Sequence, residues 1–296
     1  MTRVLIVNAD DFGLAECVNR GIEKAHREGI LTSATLLSNG PAFSDAVERI
    51  GRAADLGVGL HLNLLRGRPV APPDRVAALV GADGRMHGGF LSAGLRSCSR
   101  AFRQAAEYEY NAQIEKALRA GVRLTHLDSE KHHAVWPPLA RVVERLAIRH
   151  GIPALRRPAE AVWTCLRRMP GVRVRGLMSA AVVRSVAAMR RARLATPGRF
   201  FGQVHIGAMD EAVWLRLLDA LAEGVTEVMT HPGFYLPQEL SAAAAEMGAS
   251  WIDARREAEL RALCSERVRA AVQRNAIDLR TFAACATGSA HPSSAA

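Results

Sequence analysis

The chain has 296 residues, 49% hydrophobic and 23% charged, with 39 basic against 29 acidic side chains and a formal net charge of +10. That composition excludes a disordered or collagen-like chain, and the length suits one large α/β domain, since barrels of about 250 residues are common single domains. No apolar run approaches the ~18 residues of a membrane span; the best candidate, Gly176–Met189, is interrupted by Arg184.

In chain order, Val4–Asn8 is a short apolar strand, and no basic, long apolar and small-residue leader precedes it, so a cytoplasmic protein is expected. Glu16–Glu28 has the spacing of an amphipathic helix (Val18, Ile22, Ala25) and stops at Gly29. Thr32–Leu37 reads as a strand, Phe43–Ala53 as a helix and Gly57–Leu62 as a third strand; Leu65 to Ser99, rich in Gly, Pro and Arg, reads as long loops. A helix over Phe102–Ala120, a strand at Leu124–Leu127, a helix over Leu139–His150 and a strand at Pro153–Leu155 follow. Ala161–Arg193 is read as helical but poorly patterned, Phe200–His205 as a strand, Glu211–Ala222 as a helix and Glu227–Thr230 as a strand. Arg255–Arg274 is an amphipathic helix, Ile277–Phe282 a last strand, and the residues from Ala286 a frayed tail. The expected organisation is one domain over 1–285 and a disordered tail over 286–296. Continuously apolar strands alternating with helices imply a parallel sheet covered on both faces, and so many units favour an irregular (β/α) barrel over an open sheet.

Only Lys24, Lys116 and Lys131 are lysines, so the basic excess is mostly arginine, and nine arginines with no acidic residue fall in Ala161–Met209. That stretch is either a solvated face or a patch for an anionic ligand or a membrane surface. Aromatics make up only 5% of the chain, too few to interleave with the run as a nucleic-acid stacking surface would, so no nucleic-acid partner is expected. Five scattered cysteines without a Cys-x-x-Cys pair read as reduced thiols.

In a parallel barrel the chemistry sits at the carboxyl ends of the strands, and there the reactive side chains gather. The first strand ends in Asp10-Asp11, the third in His61, and Leu124–Leu127 holds His126 and runs into Asp128, Glu130, His132 and His133. The Pro153 strand ends at Arg156, the Phe200 strand at His205 and the Glu227 strand at His231. Singly, each has a plainer reading: Asp10-Asp11 can cap the next helix, His61 and His126 can be buried core imidazoles, and His231-Pro232-Gly233 can be a turn. Together at one rim, carboxylates and imidazoles point to a divalent-metal site. Trp136, Trp163, Trp214, Phe200 and Tyr235 are available to stack on a sugar ring, or to fill the core.

Val7–Leu14 (VNADDFGL), Gly29–Ser33 (GILTS), Gly59–Leu62 (GLHL), Thr125–Ser129 (THLDS) and His231-Pro232-Gly233 resemble the YdjC-like carbohydrate (chitooligosaccharide) deacetylase family over roughly Arg3 to Phe282. The resemblance implies an irregular TIM-like (β/α) barrel related to the polysaccharide deacetylases, and a metal-dependent hydrolase that removes an N-acetyl group from an amino-sugar substrate. It assigns Asp11, His61 and the position of Glu130 to the metal and aligns Arg156 with an arginine of the family; the chemistry of amide hydrolysis then makes Asp10 the expected base, held by Arg156, and His231 the expected general acid, with His126 and Asp128 orienting the ligands through hydrogen bonds. Glu130 departs from the family's pattern, which has histidine there, and Ala134 replaces another histidine. Three outcomes stay open: Glu130 ligates and shifts preference toward harder ions, His132 becomes the third ligand, or the site is impaired. The ion expected is Mg, Zn or Mn. The substrate expected is a small-molecule, lipid-linked or nucleotide-linked N-acetylated sugar, with peripheral membrane contact and a homodimer left open. The rival readings are a non-catalytic sugar-binding or regulatory protein on this scaffold and a metal-dependent phosphoesterase.

Overall fold

A computed structural model of the protein describes residues 2–161, 174–188, 194–248 and 254–287. Among the described residues eight strands form one parallel sheet: β1 (Arg3–Phe12), β2 (Ser33–Leu36), β3 (Gly57–Leu62), β4 (Leu124–Ser129), β5 (Ala154–Leu155), β6 (Arg199–Phe201), β7 (Gly224–Thr230) and β8 (Ile277–Leu279). The order is β5-β4-β3-β2-β1-β7-β6. The sheet curls into a half-barrel, and a bridge from Ala154 to Ala195, just ahead of β6, brings its two edges toward each other. β1 is shared lengthwise: Arg3–Leu5 pair with β8, Asn8–Phe12 with β2, and Arg3–Ala9 with β7 along the opposite edge.

The helices pack outside because each carries one apolar face. In α1 (Glu16–Glu28) Val18, Ile22 and Ala25 are buried, and the Gly29 N–H closes the last turn on the Ala25 carbonyl. After α2 (Phe43–Ile50) the residues expected to be loop include a 3₁₀ turn at Pro73–Val76 and α3 (Phe90–Arg96), the latter short enough for its two exposed leucines, Leu91 and Leu95, to hide its periodicity. Helix α4 (Arg100–Arg119) starts where Ser99 Oγ accepts from the Phe102 N–H, and α5 (Pro137–Arg149) starts on a proline whose missing N–H costs nothing there. Helix α6 (Val174–Ala188) lies inside the arginine-rich stretch, much of which, with Trp163 and Cys165, falls outside the described residues, as does the tail beyond Thr287.

Helix α7 (Glu211–Asp219) is capped by Asp210, and α8 (Pro237–Met247), not anticipated from the sequence, packs Leu240, Ala243 and Met247 inward. The helix expected over Arg255–Arg274 is two, α9 (Arg255–Leu263) and α10 (Glu266–Arg274), because Ser265 takes extended backbone between them; its hydroxyl donates to Glu211. A short α11 (Ala283–Thr287) follows β8. The strand expected to reach His205 ends at Phe201.

Inside the barrel β3 and β4 approach closely at Gly59 and His126. The His126 ring stacks on Phe282 with centroids 3.6 Å apart, and a Cβ on Gly59 would lie 2.4 Å from its Cε1. The Gly59→Ala protein should therefore lose about 1–3 kcal/mol of stability from overpacking, measured by urea denaturation; an unchanged midpoint would mean that the ring can move aside.

Candidate metal centre and active-site cleft

Consecutive residues of a strand point to opposite faces, yet Asp10 and Asp11 both line one cleft. The reason is a bulge: the β1–β2 register shifts between Ala9 and Phe12, and Asp11 takes a left-handed backbone (φ 71°), which Asp tolerates better than most residues. The same device follows β4, where Lys131 (φ 48°) and His132 (φ 57°) are left-handed and turn both Glu130 and His132 into the cleft. The cleft, about 790 Å³, also receives His61 from the end of β3 and His231 from the end of β7.

Arg156, after β5, is buried beneath these groups and carries three carboxylates. Its Nη1 and Nη2 donate to Asp10 Oδ2 and Oδ1 (2.8 and 2.7 Å), Nη1 pairs with Asp128 Oδ2 (2.5 Å) and Nε donates to Glu227 Oε1 (2.6 Å). Burial opposes ionisation of Asp10, but Arg156 and then His61 outweigh it and hold the carboxyl well below the usual range. Burial pushes the Glu227 carboxyl up to about 7 despite Arg156.

Asp128 in turn accepts from His61 Nδ1 (2.6 Å), so Nε2 is the nitrogen turned toward Glu130, 3.8 Å away. A carboxylate on the far nitrogen is the usual way in which a ligating imidazole is oriented. Donor atoms of Asp11, His61 and Glu130, all buried, lie within 4.8 Å of one another. One nitrogen and two carboxylate oxygens at that spacing fit a divalent cation. Asp10, His61 and Asp128 meet the same distance criterion, but Arg156 and the His61–Asp128 bond already use those oxygens.

The structure separates the remaining candidates. His132 lines the cleft, but its Nε2 is bonded to Gln203 Oε1 (2.8 Å), and it stands outside the Asp11–His61–Glu130 cluster; burial lowers it to about 3. His126 bonds Thr125 Oγ1 through Nδ1 (3.0 Å), its Nε2 has no hydrogen-bond partner among the described residues and burial keeps it neutral; it bonds none of the candidate ligands. His231 is anchored by its backbone N–H on Glu259 Oε2 (2.6 Å). His205 is buried in the loop after β6. Of the five aromatics offered as sugar platforms, Trp214 is core, Phe200 lies buried under Arg156, Trp136 packs on Phe90 and Tyr235 stands outside the cleft; Phe90 and Leu91 are the side chains of α3 that line it.

Two arginines and one glutamate of the site were not anticipated. Arg66 Nη2 donates to Asp11 Oδ1 (3.1 Å) and Glu130 Oε2 (2.8 Å), Arg256 of α9 pairs with Asp11 Oδ2, and Glu227 holds Arg156. Arg66 follows β3 by four residues, a position the strand-end rule covers; Arg256 gives no local signal, because nothing in its helix distinguishes it from the solvated arginines around it.

The family described as YdjC-like protein matches residues 4–274. A protein of Thermoanaerobacter pseudethanolicus named carbohydrate deacetylase is 28% identical over 280 residues, 95% of this chain and 98% of that one. One of the same name from Geobacillus stearothermophilus is 34% identical, covering 79% of this chain and 81% of its own. A crystal structure from Enterococcus faecalis V583, titled for cellobiose-phosphate cleavage, superposes with a TM-score of 0.73 at 27% identity over 96% of this chain and 98% of its own.

Burial disfavours the charged imidazole of His61, but Asp128, Asp10 and Glu130 outweigh it and raise the group to about 9. Unfolded histidine titrates near ~6.5, so this stabilisation is whole below pH 6.5 and lost as pH climbs through 9. The melting temperature of chelator-treated protein should fall progressively across that window, and His61→Gln should flatten the fall; a parent curve already flat from 6.5 to 9 would show that the carboxylates do not hold the proton there.

Proposed function

The chain belongs to the YdjC-like family, and from that premise and the geometry of the cleft we propose that it is a metal-dependent carbohydrate deacetylase, hydrolysing the N-acetyl group of an amino-sugar substrate. The observation that carries this reading is the buried Asp11–His61–Glu130 cluster on the surface that also presents Asp10 and His231. Asp11, His61 Nε2 and Glu130 would hold the ion, and two oxygens in the set favour magnesium or manganese beside zinc. Bound there, a divalent ion supplies Lewis acidity, polarising the amide carbonyl and acidifying water.

The chain's own groups supply the proton transfers. Asp10 is kept ionised and fixed in orientation by two Arg156 N–H groups, which makes it a permanently available acceptor of the water's proton and a weak one, so the driving force must come from the water's acidity. His231, presented on the same cleft surface, would protonate the departing amine, histidine being the side chain whose ordinary titration lies nearest neutrality. Asp128 keeps His61 Nδ1 occupied and its Nε2 turned to the cleft. The wall beside these groups carries Phe90, Leu91, Met178 and Val182, with Leu91 63% and Met178 65% exposed. Such a wall supports a lipid-linked sugar over a nucleotide-linked one.

Arg66, in contact with both Asp11 and Glu130, favours a second reading, a sugar-binding protein without turnover. Acetate release from N-acetylated amino sugars with added divalent ion separates the two: tight sugar binding without acetate supports the second, and release of phosphate from esters instead would remove both. For the deacetylase, Asp10→Asn should retain metal by elemental analysis and lose ~10²–10⁴ in turnover; near-parental turnover would mean that Asp10 is not the acceptor.

A further inference from the structure

The loop after β3 is clamped by amide side chains. Asn63 Oδ1 accepts from the Leu65 and Arg66 N–H groups (2.8 and 3.3 Å), and the Arg66 carbonyl accepts from Asn63 Nδ2 (2.9 Å) and Asn39 Nδ2 (3.1 Å). Gln113, reaching from α4, grips the Asn63 backbone at its N–H (3.0 Å) and its carbonyl (2.6 Å). Arg66 therefore enters the cleft floor from a held backbone, and its side chain is nine-tenths buried.

Its Nη2 bridges Asp11 Oδ1 and Glu130 Oε2. Two buried carboxylates this close are stable only with a cation between or beside them, and either a divalent ion or a guanidinium meets that need. Resting on the metal reading above, we propose that Arg66 is a tethered counter-cation of the ligand set: a positioning residue that neutralises Asp11 and Glu130 and competes with the divalent ion for them. Glu130 is what creates the competition. A neutral imidazole at that position would offer a guanidinium no charge to pair with, whereas a carboxylate forms the stronger, charge-assisted bond. Because a guanidinium does not lose its proton, it keeps its positive charge beside the ion, and the ion gains these two oxygens fully as the Arg66 head moves off them. The metal affinity of this chain is thus set by the Arg66–Glu130 pair as much as by the ligands.

The test is calorimetric titration of Zn²⁺ and Mn²⁺ into the chelator-stripped full-length chain. Arg66→Met keeps the aliphatic stem and removes the charge; it should bind at least about ten-fold tighter than the parent and show a larger metal-induced rise in melting temperature. Should that variant not fold, Arg66→Gln, which keeps hydrogen bonding without charge, carries the same expectation. In a Glu130→His background the effect of Arg66→Met should shrink below about two-fold, since the pair is then already broken. A parent that binds metal with the Arg66 variants equal to or weaker than it overturns the counter-cation and leaves the metal reading standing. An undiminished effect in the Glu130→His background assigns the competition to Asp11 or to general charge and likewise overturns the pair. If neither the parent nor any variant takes up metal, the metal reading fails, and this proposal with it.

Discussion

The guanidinium of Arg156 is where three strands meet: Asp10 at the end of β1, Asp128 near the end of β4 and Glu227 within β7 all bind it, and all four side chains are buried. Removing such charges from water costs several kcal/mol per ion unless the partners are in place, so each member is held by the others. The chain of contacts runs outward from there. Asp128, steadied on Arg156, fixes the His61 ring, and that ring sets which nitrogen faces Asp11 and Glu130. Loss of the central cation would leave the floor of the cleft with uncompensated carboxylates and no defined imidazole orientation.

Above that floor the arrangement depends on backbone that regular strands do not supply. Asp10 and Asp11 would face opposite ways in an unbroken β1, and after β4 the chain turns along the cleft through the left-handed Lys131 and His132. Each such conformation costs of order 1 kcal/mol or more and persists only where the surroundings enforce it. Here the enforcement comes from polar side chains: Asp11 is pinned by ion pairs with Arg66 and Arg256, and His132 by a hydrogen bond to Gln203. The cost of the bend and the charge of the cluster are therefore coupled, and the charge balance of this cleft is as much a structural matter as a chemical one.

Much of this was legible at the level of which residues lie at which strand end. Asp10, Asp11, His61, Glu130, Arg156 and His231 all lie at or just beyond the carboxyl ends of strands, and a parallel sheet puts such ends on one rim whatever the loops do. The fold's simpler units were legible as well: α1 buries one face and its period records it, while β3 is buried on both faces and reads as a short apolar run. The division of Arg255–Arg274 into α9 and α10 was not legible, since the residues on both sides of Ser265 are helix formers and the break is a local extended backbone that side-chain spacing does not register. Helix α8 was hidden by a run of alanines with little apolar contrast.

His126 and Asp128 illustrate the limit. They stand two apart on one strand and so share a face of β4, yet one is stacked in the barrel against Phe282 and the other supports His61. Arg256 and Glu227 likewise carry no local mark among the many arginines and glutamates of the chain. By itself the amino-acid order determined the alternation of strand and helix, the rim on which acids and imidazoles collect and the family, because hydrophobic period and local motif are properties of neighbours in sequence. Which cation lies against which carboxylate was decided only by the tertiary structure, because electrostatic pairing depends on distance through space, and Arg156 and Asp10, 146 residues apart, meet only when the sheet has curled around them.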